Sequence, residues 1–309
     1  MKSVLYWFRR NNIDQNFKPV ILVTGCNRGI GLALAQMLYH CHEYRVIATV
    51  REKSLEEARA RFPQNDRFQV LPMDVTSEED RSRLYNDIQK LWGGVDVLIN
   101  NAGISYRSVV EHMTEEDEKL QLATNYLGPM SLIRLCIPHM RDTGRGKIIN
   151  ISSVSGMLAM PTMASYTASK FALEGASEAL WYEMRPFGVR IVLVQPGFIH
   201  SDSFKNVYHT KHSEPTLNWS GPYSDFYQNM NPFVGKMMNL SRTTPEKVAQ
   251  QILKVIKTEN PPLWVPVTLD AIVFYYLRRL LPRRLLLPFL FWCLPNARHW
   301  AKNYTHRRR

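Results

Sequence analysis

Tyr166 and Lys170 stand four residues apart, with Ser153 upstream, and together they offer a phenol, an ammonium and a hydroxyl. On a helix that spacing puts the tyrosine and the lysine on one face. A free phenol has a pKa of about 10 and is a poor acid or base near neutrality. A neighbouring ammonium favours the phenolate and lowers that value. The spacing therefore predicts a Tyr166 that exchanges a proton with a substrate oxygen, while the Ser153 hydroxyl bonds the same oxygen and stabilises charge on it. Such proton movement at a carbonyl or alcohol needs a source or sink of hydride, and Lys170 keeps spare N–H donors to hold the ribose of one.

A seat for that partner lies near the start. Thr24-Gly25-Cys26-Asn27-Arg28-Gly29-Ile30-Gly31 follows a short apolar run and opens a helical pattern. Gly25, Gly29 and Gly31 let the chain turn tightly and let backbone N–H groups approach a pyrophosphate at a helix N-terminus. The end of the next strand selects the dinucleotide: a carboxylate there bonds the ribose of NAD, whereas an arginine accepts the 2′-phosphate of NADP. Val50 and Arg51 occupy that stretch, and Arg28 adds a second guanidinium, so NADP(H) is expected. A strand end one residue later would offer Glu52 instead. Asp74, followed by Val75, could bond the adenine amino group, and Asn101-Ala102-Gly103 offers a flat backbone to the adenosine ribose. Pro196-Gly197, with Ile199 beyond, completes the cofactor set. Asn125 could hold a water linking Lys170 to solvent, although an asparagine in a helix often only bonds a neighbouring carbonyl.

The elements that must position these groups are legible as pattern. Apolar runs at 20–23, 45–50, 67–71, 95–99, 147–151 and 189–194 predict strands. Helical patterns at 29–40, 80–91, 115–139 and 166–184 alternate with them, and one at 244–257 opens on Thr244-Pro245-Glu246. Pro129 and Pro138 argue against an unbroken helix over 115–139. Alternation of this kind means α/β, a Rossmann-type doubly wound parallel sheet whose apolar strands are buried on both faces. The chemical motifs follow strands one, four, five and six, at the carboxyl ends where such sheets bind ligands. A single domain is expected over 19–260, after a basic lead at 1–18 and before a basic, apolar, amphipathic C-terminal extension at 261–309. Residues 201–240 break the rhythm with seven aromatics, among them Phe204, Tyr208 and Trp219. They read as a lid over an apolar substrate, or as a helical excursion packed on the body.

Charge is uneven. The chain carries +12 overall, with nine Arg or Lys and no Asp or Glu in 271–309, and four basic residues against Asp14 in 1–18; the body between is neutral. A nucleic-acid binder spreads basic residues over its folded surface, so none is expected as a partner. Four arginines divide the apolar run at 271–295, which is too broken for the roughly 20 residues that span a bilayer. It fits a helix lying on an anionic membrane surface, or one covering the cleft or a subunit contact with its arginines reaching water. The apolar run from Val4 to Phe8 is short for a signal-peptide core, so a non-secreted, cytoplasmic-side, peripheral membrane location is expected. Four cysteines without paired spacing suggest free thiols. Nine histidines show no ligand spacing, so no metal is expected.

Over roughly 19–260 the chain resembles the classical short-chain dehydrogenase/reductase family. Thr24-Gly-Cys-Asn-Arg-Gly-Ile-Gly is similar to its cofactor motif, Asn100-Asn-Ala-Gly to its second motif and Tyr166-x-x-x-Lys170 to its signature, with Ser153 and Asn125 completing a catalytic tetrad. Val46-Ile-Ala-Thr-Val-Arg-Glu, Ser169-Lys-Phe-Ala-Leu-Glu-Gly and Phe226-Tyr-Gln resemble its 17-beta-hydroxysteroid and photoreceptor retinol dehydrogenase branch. The resemblance implies NADP(H)-dependent interconversion of a bulky lipophilic alcohol and its ketone or aldehyde. It also implies a homodimer or tetramer formed through the helices of Asn125 and Tyr166. Where the family has a threonine on the nicotinamide carboxamide, this chain has Ser201, which keeps the hydroxyl. A 3-ketosphinganine-type lipid reductase remains open, as does a non-catalytic NADP(H) sensor; the retained Tyr166 and Lys170 speak against the latter.

Overall fold

Val20–Val23 (β1) is apolar and buried at every position, and its alternate residues serve two different cores. Ile21 and Val23 pack with Leu34 and Leu38 of Gly29–His40 (α1) and with Val248 and Ile252 of Pro245–Lys257. Val20 and Leu22 pack with Ile88 of Glu78–Trp92 (α3), Leu132 of Gly128–Asp142 and Leu180 of Ala164–Met184. A strand covered on both faces has no solvent side, which is why its sequence is apolar throughout instead of alternating.

The computed structural model describes residues 17–201, 207–214 and 221–301. The charges expected in the basic lead before residue 17, Phe204 and Trp219, and the basic tail past 301 lie outside the described residues.

Seven parallel strands run in the order β3-β2-β1-β4-β5-β6-β7. They are β1, Arg45–Val50 (β2), Phe68–Pro72 (β3), Val97–Asn100 (β4), Gly146–Ile151 (β5), Val189–Gln195 (β6) and Trp264–Pro266 (β7). The strand order reverses beside β1, and the crevice that opens there lies outside the carboxyl ends of the strands. A buried polar ladder pins the register. Asn100 Nδ2 donates to Asn150 Oδ1 at 2.8 Å, and Asn150 Nδ2 donates to Ser177 Oγ at 2.9 Å, across the β4–β5 pairing of Asn100 with Asn150. Lys147 is buried under the end of Pro245–Lys257 and donates to the carbonyls of Val255, Ile256 and Thr258, at the end where a helix runs out of its own amide donors.

Three features of the fold were not read from the sequence pattern. The helix Leu55–Arg61 (α2) was not legible, because seven residues make too short a pattern. The long helix does not break at its prolines. Glu115–Leu122 (α4) continues through a π turn, Ala123–Leu127, into Gly128–Asp142 (α5), with Pro129 in the first turn after it and Pro138 inside. A proline withholds one amide, and a wider turn is one way a helix absorbs that loss. The sheet also takes a last strand that the pattern did not show, because β7 pairs with β6 from Leu193–Trp264 to Gln195–Pro266.

Residues 201–240 contain a helix, Ser224–Leu240 (α7), that buries Tyr227, Met230 and Val234 against the body. Two further helices, Leu269–Leu280 (α9, after Pro245–Lys257 as α8) and Arg283–Cys293 (α10), form the C-terminal extension. No helix among the described residues is long and apolar enough to cross a membrane. All four cysteines are free thiols.

Candidate active site

The turn after β1 is shaped by close approach. Gly25 (φ +73°) stands where a Cβ would come within 2.9 Å of Ala102 Cα, and a Cβ on Gly31 would overlap the Gly25 carbonyl and the Asn101 amide. Gly31 thus lets α1 pack directly against the turn. Asn101 also turns inward: its Nδ2 donates to the carbonyls of Thr24 (2.8 Å) and Gly25 (3.1 Å), while Thr24 Oγ1 accepts from the amides of Asn101 and Ala102. The second motif therefore braces the first through its side chain and presents its backbone outward.

Gly29 has φ +58° and open space where a side chain would be. The first turn of α1 carries no acidic residue, and Arg28 at its N-cap makes no side-chain cap. Amides at a helix start with no competing carboxylate suit an anion. A dinucleotide pyrophosphate fits this cradle.

One cleft of about 420 Å³ gathers nearly all the expected residues. Gly25, Asn27, Arg28, Gly29 and Ile30 line one end, with Arg51 after β2 and Asp74 and Val75 after β3; Glu52, already in the next turn, does not line it. Asn101, Ala102 and Gly103 form the floor, Ser153, Tyr166 and Lys170 the centre, and Pro196, Gly197, Ile199 and Ser201 the wall after β6. Asp74 Oδ1 accepts from the Thr76 amide and hydroxyl, which orients its carboxylate.

At the centre, Tyr166 lies in the first turn of Ala164–Met184 (α6), and Lys170 one turn on donates from Nζ to the Ile151 carbonyl at 2.8 Å. Ser153 caps a short turn, its Oγ accepting from the Ser155 amide at 3.1 Å, and it hydrogen-bonds the Tyr166 phenol. Burial pushes the Lys170 ammonium down to about 8. Burial also pushes the Tyr166 phenol up, opposed by the Ser153 hydrogen bond and by the charge of Arg107. This reverses the expected direction. The cation whose charge lowers the phenol is Arg107, and Lys170 Nζ stands 5.8 Å from the phenol ring centroid.

Asn125 sits in the π turn and does not line the cleft. Its Oδ1 accepts from the Ile104 amide, and its Nδ2 donates to the Ile104 carbonyl and to Ser169 Oγ, at 2.9, 2.9 and 3.0 Å. Through these bonds the side-chain amide ties the segment after β4 to the helix of Tyr166.

The C-terminal extension is part of this site. Thr268 Oγ1 accepts from the Gly197 amide and Asp270 Oδ2 from the Phe198 amide, both at 2.9 Å. Arg278 donates to the carbonyls of Gly156 and Met157, just beyond Ser153. Val154, Met157 and Leu158 pack with Ala271 and Leu286. Helix α7 belongs to it too: Tyr227 Oη holds the Val109 amide and His112 Nδ1, and Val234 and Met238 line the cleft. Motif spacing signalled neither contact, nor Arg107, because each arises from chain segments far apart in sequence. Among the described residues no group of three His, Cys, Asp or Glu comes together that could hold a metal ion.

The short chain dehydrogenase family pattern matches residues 19–212. The chain belongs to that family. It is 34% identical over 243 residues to a 3-ketodihydrosphingosine reductase of Bacteroides thetaiotaomicron, covering 79% of this chain and 85% of the relative. It is 33% identical over 253 residues to human retinol dehydrogenase 8, covering 79% of each. A short-chain dehydrogenase of Streptomyces avermitilis superimposes with a TM-score of 0.72 at 31% identity, over 84% of this chain and 92% of that one. As a short-chain dehydrogenase the protein is an oxidoreductase with a seat for a nicotinamide dinucleotide. Its Ser153, Tyr166 and Lys170 meet in one cleft, and its Asn125 braces that meeting from behind.

Proposed function

We propose that this short-chain dehydrogenase uses NADP(H) to interconvert a lipophilic alcohol and its ketone or aldehyde. One observation carries the reading: a single cleft runs from Arg28 and Arg51 past Tyr166 to a pocket walled by Met160, Met163, Phe198, Val207, Val234 and Met238. The two guanidiniums suit the 2′-phosphate that separates NADP from NAD. The apolar walls suit a steroid, a retinoid or an acyl chain.

When bound, the dinucleotide supplies or accepts the hydride. In reduction Tyr166 passes its proton to the substrate oxygen, and the Ser153 hydroxyl bonds that oxygen as charge develops on it. Lys170, held by the Ile151 carbonyl, keeps two donors for the ribose. A phenol raised by burial is held in the protonated form that reduction needs.

The extension supports a peripheral location at an anionic membrane on the cytoplasmic side. Its outer face exposes Ile272, Val273, Tyr276, Leu285, Leu287, Phe289, Phe291 and Trp292 beside Arg279, Arg283 and Arg284. Apolar side chains flanked by arginines suit lipid tails and anionic headgroups. A homodimer or tetramer through the helices of Asn125 and Tyr166 is supported by exposed Leu120, Leu127 and Tyr182 on them.

A 3-ketosphinganine-type substrate is a second reading, favoured by the likeness to the 3-ketodihydrosphingosine reductase. The test is NADPH consumption by detergent-solubilised protein against retinal, 17-ketosteroids and 3-ketosphinganine, with NADH in parallel. Turnover of one class with NADPH preferred supports the proposal and selects the branch. Tight NADPH binding with no turnover of any of them overturns it in favour of a nucleotide sensor.

A further inference from the structure

Glu174 is a buried carboxylate one turn beyond Lys170 on α6, in the run Ser169-Lys-Phe-Ala-Leu-Glu-Gly, and the hydride chemistry as derived above makes no use of it. A carboxylate is costly to bury unless donors and cations surround it. Both are present. Ser152 Oγ donates to Glu174 Oε1 at 2.6 Å, and Gln195 Nε2 donates to the same oxygen at 2.8 Å.

The two donors come from neighbouring strand ends. Ser152 follows β5 and precedes Ser153, and Gln195 is the last residue of β6, before Pro196-Gly197. The Ser152 amide donates to the Val194 carbonyl at 2.8 Å, so the strand ends are joined beside the carboxylate as well. Gly156 ends the short turn that Ser153 caps, and a Cβ on it would overlap Glu174 Oε1 and Ser152 Oγ. The carboxylate is therefore locked in one place from three sides, as a supporting group behind a reacting centre needs to be.

The charges that face it lie on two helices. Lys170 and Glu178 stand one turn before and one turn after it on α6, on the same face. Helix α9 brings Arg278, which donates to the carbonyls of Gly156 and Met157 and stands 4.8 Å from the Phe171 ring centroid. Burial pushes the Glu174 carboxyl up. The Gln195 and Ser152 bonds and the Arg278 charge oppose that push, and Glu178 adds to it. Lys170 in turn faces the Tyr166 ring and the Ile151 carbonyl, and a phenol raised by burial carries no charge at neutral pH. Burial pushes the Lys170 ammonium down, and the charge of Glu174 pushes it back up.

We propose that Glu174, locked by Ser152 and Gln195, is a positioning residue whose carboxylate keeps Lys170 an ammonium at neutral pH. This rests on the reading of Lys170 as the group that holds the nucleotide ribose in a hydride-transfer site. It also gives the C-terminal extension a part in the chemistry, since Arg278 supports the carboxylate that supports the lysine.

The test measures NADPH binding to the full-length protein by nucleotide fluorescence from about pH 6.5 to about pH 10, which brackets the charge loss of a buried and an ordinary lysine. Wild-type affinity is expected to weaken as pH passes about 8, where Lys170 loses its charge, and Lys170→Met to abolish that break. Glu174→Gln is isosteric and its Oε1 can accept the same two bonds. It should move the break lower by roughly one pH unit, as loss of a neighbouring opposite charge implies. Glu174→Asp should keep its break above that of Glu174→Asn. That second pair differs in charge and not in size, so it reads the same effect if Glu174→Gln does not fold. A carboxylate that only braces the backbone would lower thermal stability, or affinity at every pH, and leave the break in place; that result overturns the proposal. So does a break that survives Lys170→Met, or a wild-type affinity that stays level across the range. Turnover of the ketone panel is followed separately. Its absence, with a break that moves, removes the redox reading and leaves the positioning role standing; turnover with a break that stays does the reverse.

Discussion

Asn125 Nδ2 donates to Ser169 Oγ at 3.0 Å, and so joins the π turn of one helix to the helix that carries Tyr166 and Lys170. Ser169 Oγ in turn donates to the Tyr166 carbonyl at 2.7 Å. The pair therefore sets where the first turn of α6 stands relative to Gly103 and Ile104. Asn125→Ala leaves the Ile104 amide and the Ser169 hydroxyl short of a partner. We expect a fall in stability of about 1–3 kcal/mol and a loss in kcat that exceeds any change in nucleotide affinity. Thermal unfolding with parallel NADPH titration checks this; unaltered kcat would remove Asn125 from the positioning of Tyr166.

Tyr166→Phe removes the hydroxyl and keeps the ring. NADPH binding should persist while turnover drops by roughly 10²–10⁴, the usual contribution of a positioned acid–base group. Unchanged turnover would end the proposed mechanism.

The pH profile should differ between directions. Burial holds the phenol above its ordinary value. Reduction uses the protonated phenol, so its rate should stay level through neutral pH. Oxidation uses the phenolate, so its rate should climb with pH. Lys170 loses its charge as pH passes about 8, which removes one cation near that phenolate and flattens the climb on the alkaline side. Paired pH profiles of the two directions test this, and matching profiles would contradict it.

Arg51→Glu places a carboxylate where a 2′-phosphate is proposed to sit. NADPH affinity should fall by roughly 10-fold or more, and NADH affinity should change little or improve. Equal losses for the two nucleotides would dissolve the assignment of NADP(H).

Lys147→Met deprives the end of α8 of a buried donor to three carbonyls. The cost is expected at about 2–4 kcal/mol, from unsatisfied buried acceptors. Burial holds this lysine down to about 7 in the folded chain. The unfolded chain, with its lysine near 10.4, therefore binds more protons between those values, and stability from this residue rises with pH across that window. Denaturant unfolding at several pH values should show a shallower rise in the variant.

Arg283→Glu with Arg284→Glu reverses two exposed charges on α10 without touching Arg278, which holds the segment after Ser153. Binding to phosphatidylserine vesicles should weaken by roughly 10-fold or more, since each basic residue at such a surface contributes about 1 kcal/mol. Vesicle binding that ignores both the substitutions and added salt would argue against the membrane reading.

The sequence by itself determined the strand–helix alternation, the glycine turn and the places of Ser153, Tyr166 and Lys170. Each depends on a local period or on neighbours a few residues apart, which the chain order already contains. Arg51 after β2 was legible in the same way, because strand β2 ends at Val50. Tertiary structure alone decided the rest. The braces made by Gly31 and by the Asn101 side chain are tertiary too, because two loops from different strands press together there. The Tyr166 phenol shifted upward instead of down, because burial acts over the whole surrounding volume and outweighs one neighbouring charge. Arg107, Tyr227, Thr268 and Arg278 reached the site through contacts between segments distant in sequence. No local pattern encodes such contacts; they exist only once the sheet has closed and its loops share one end.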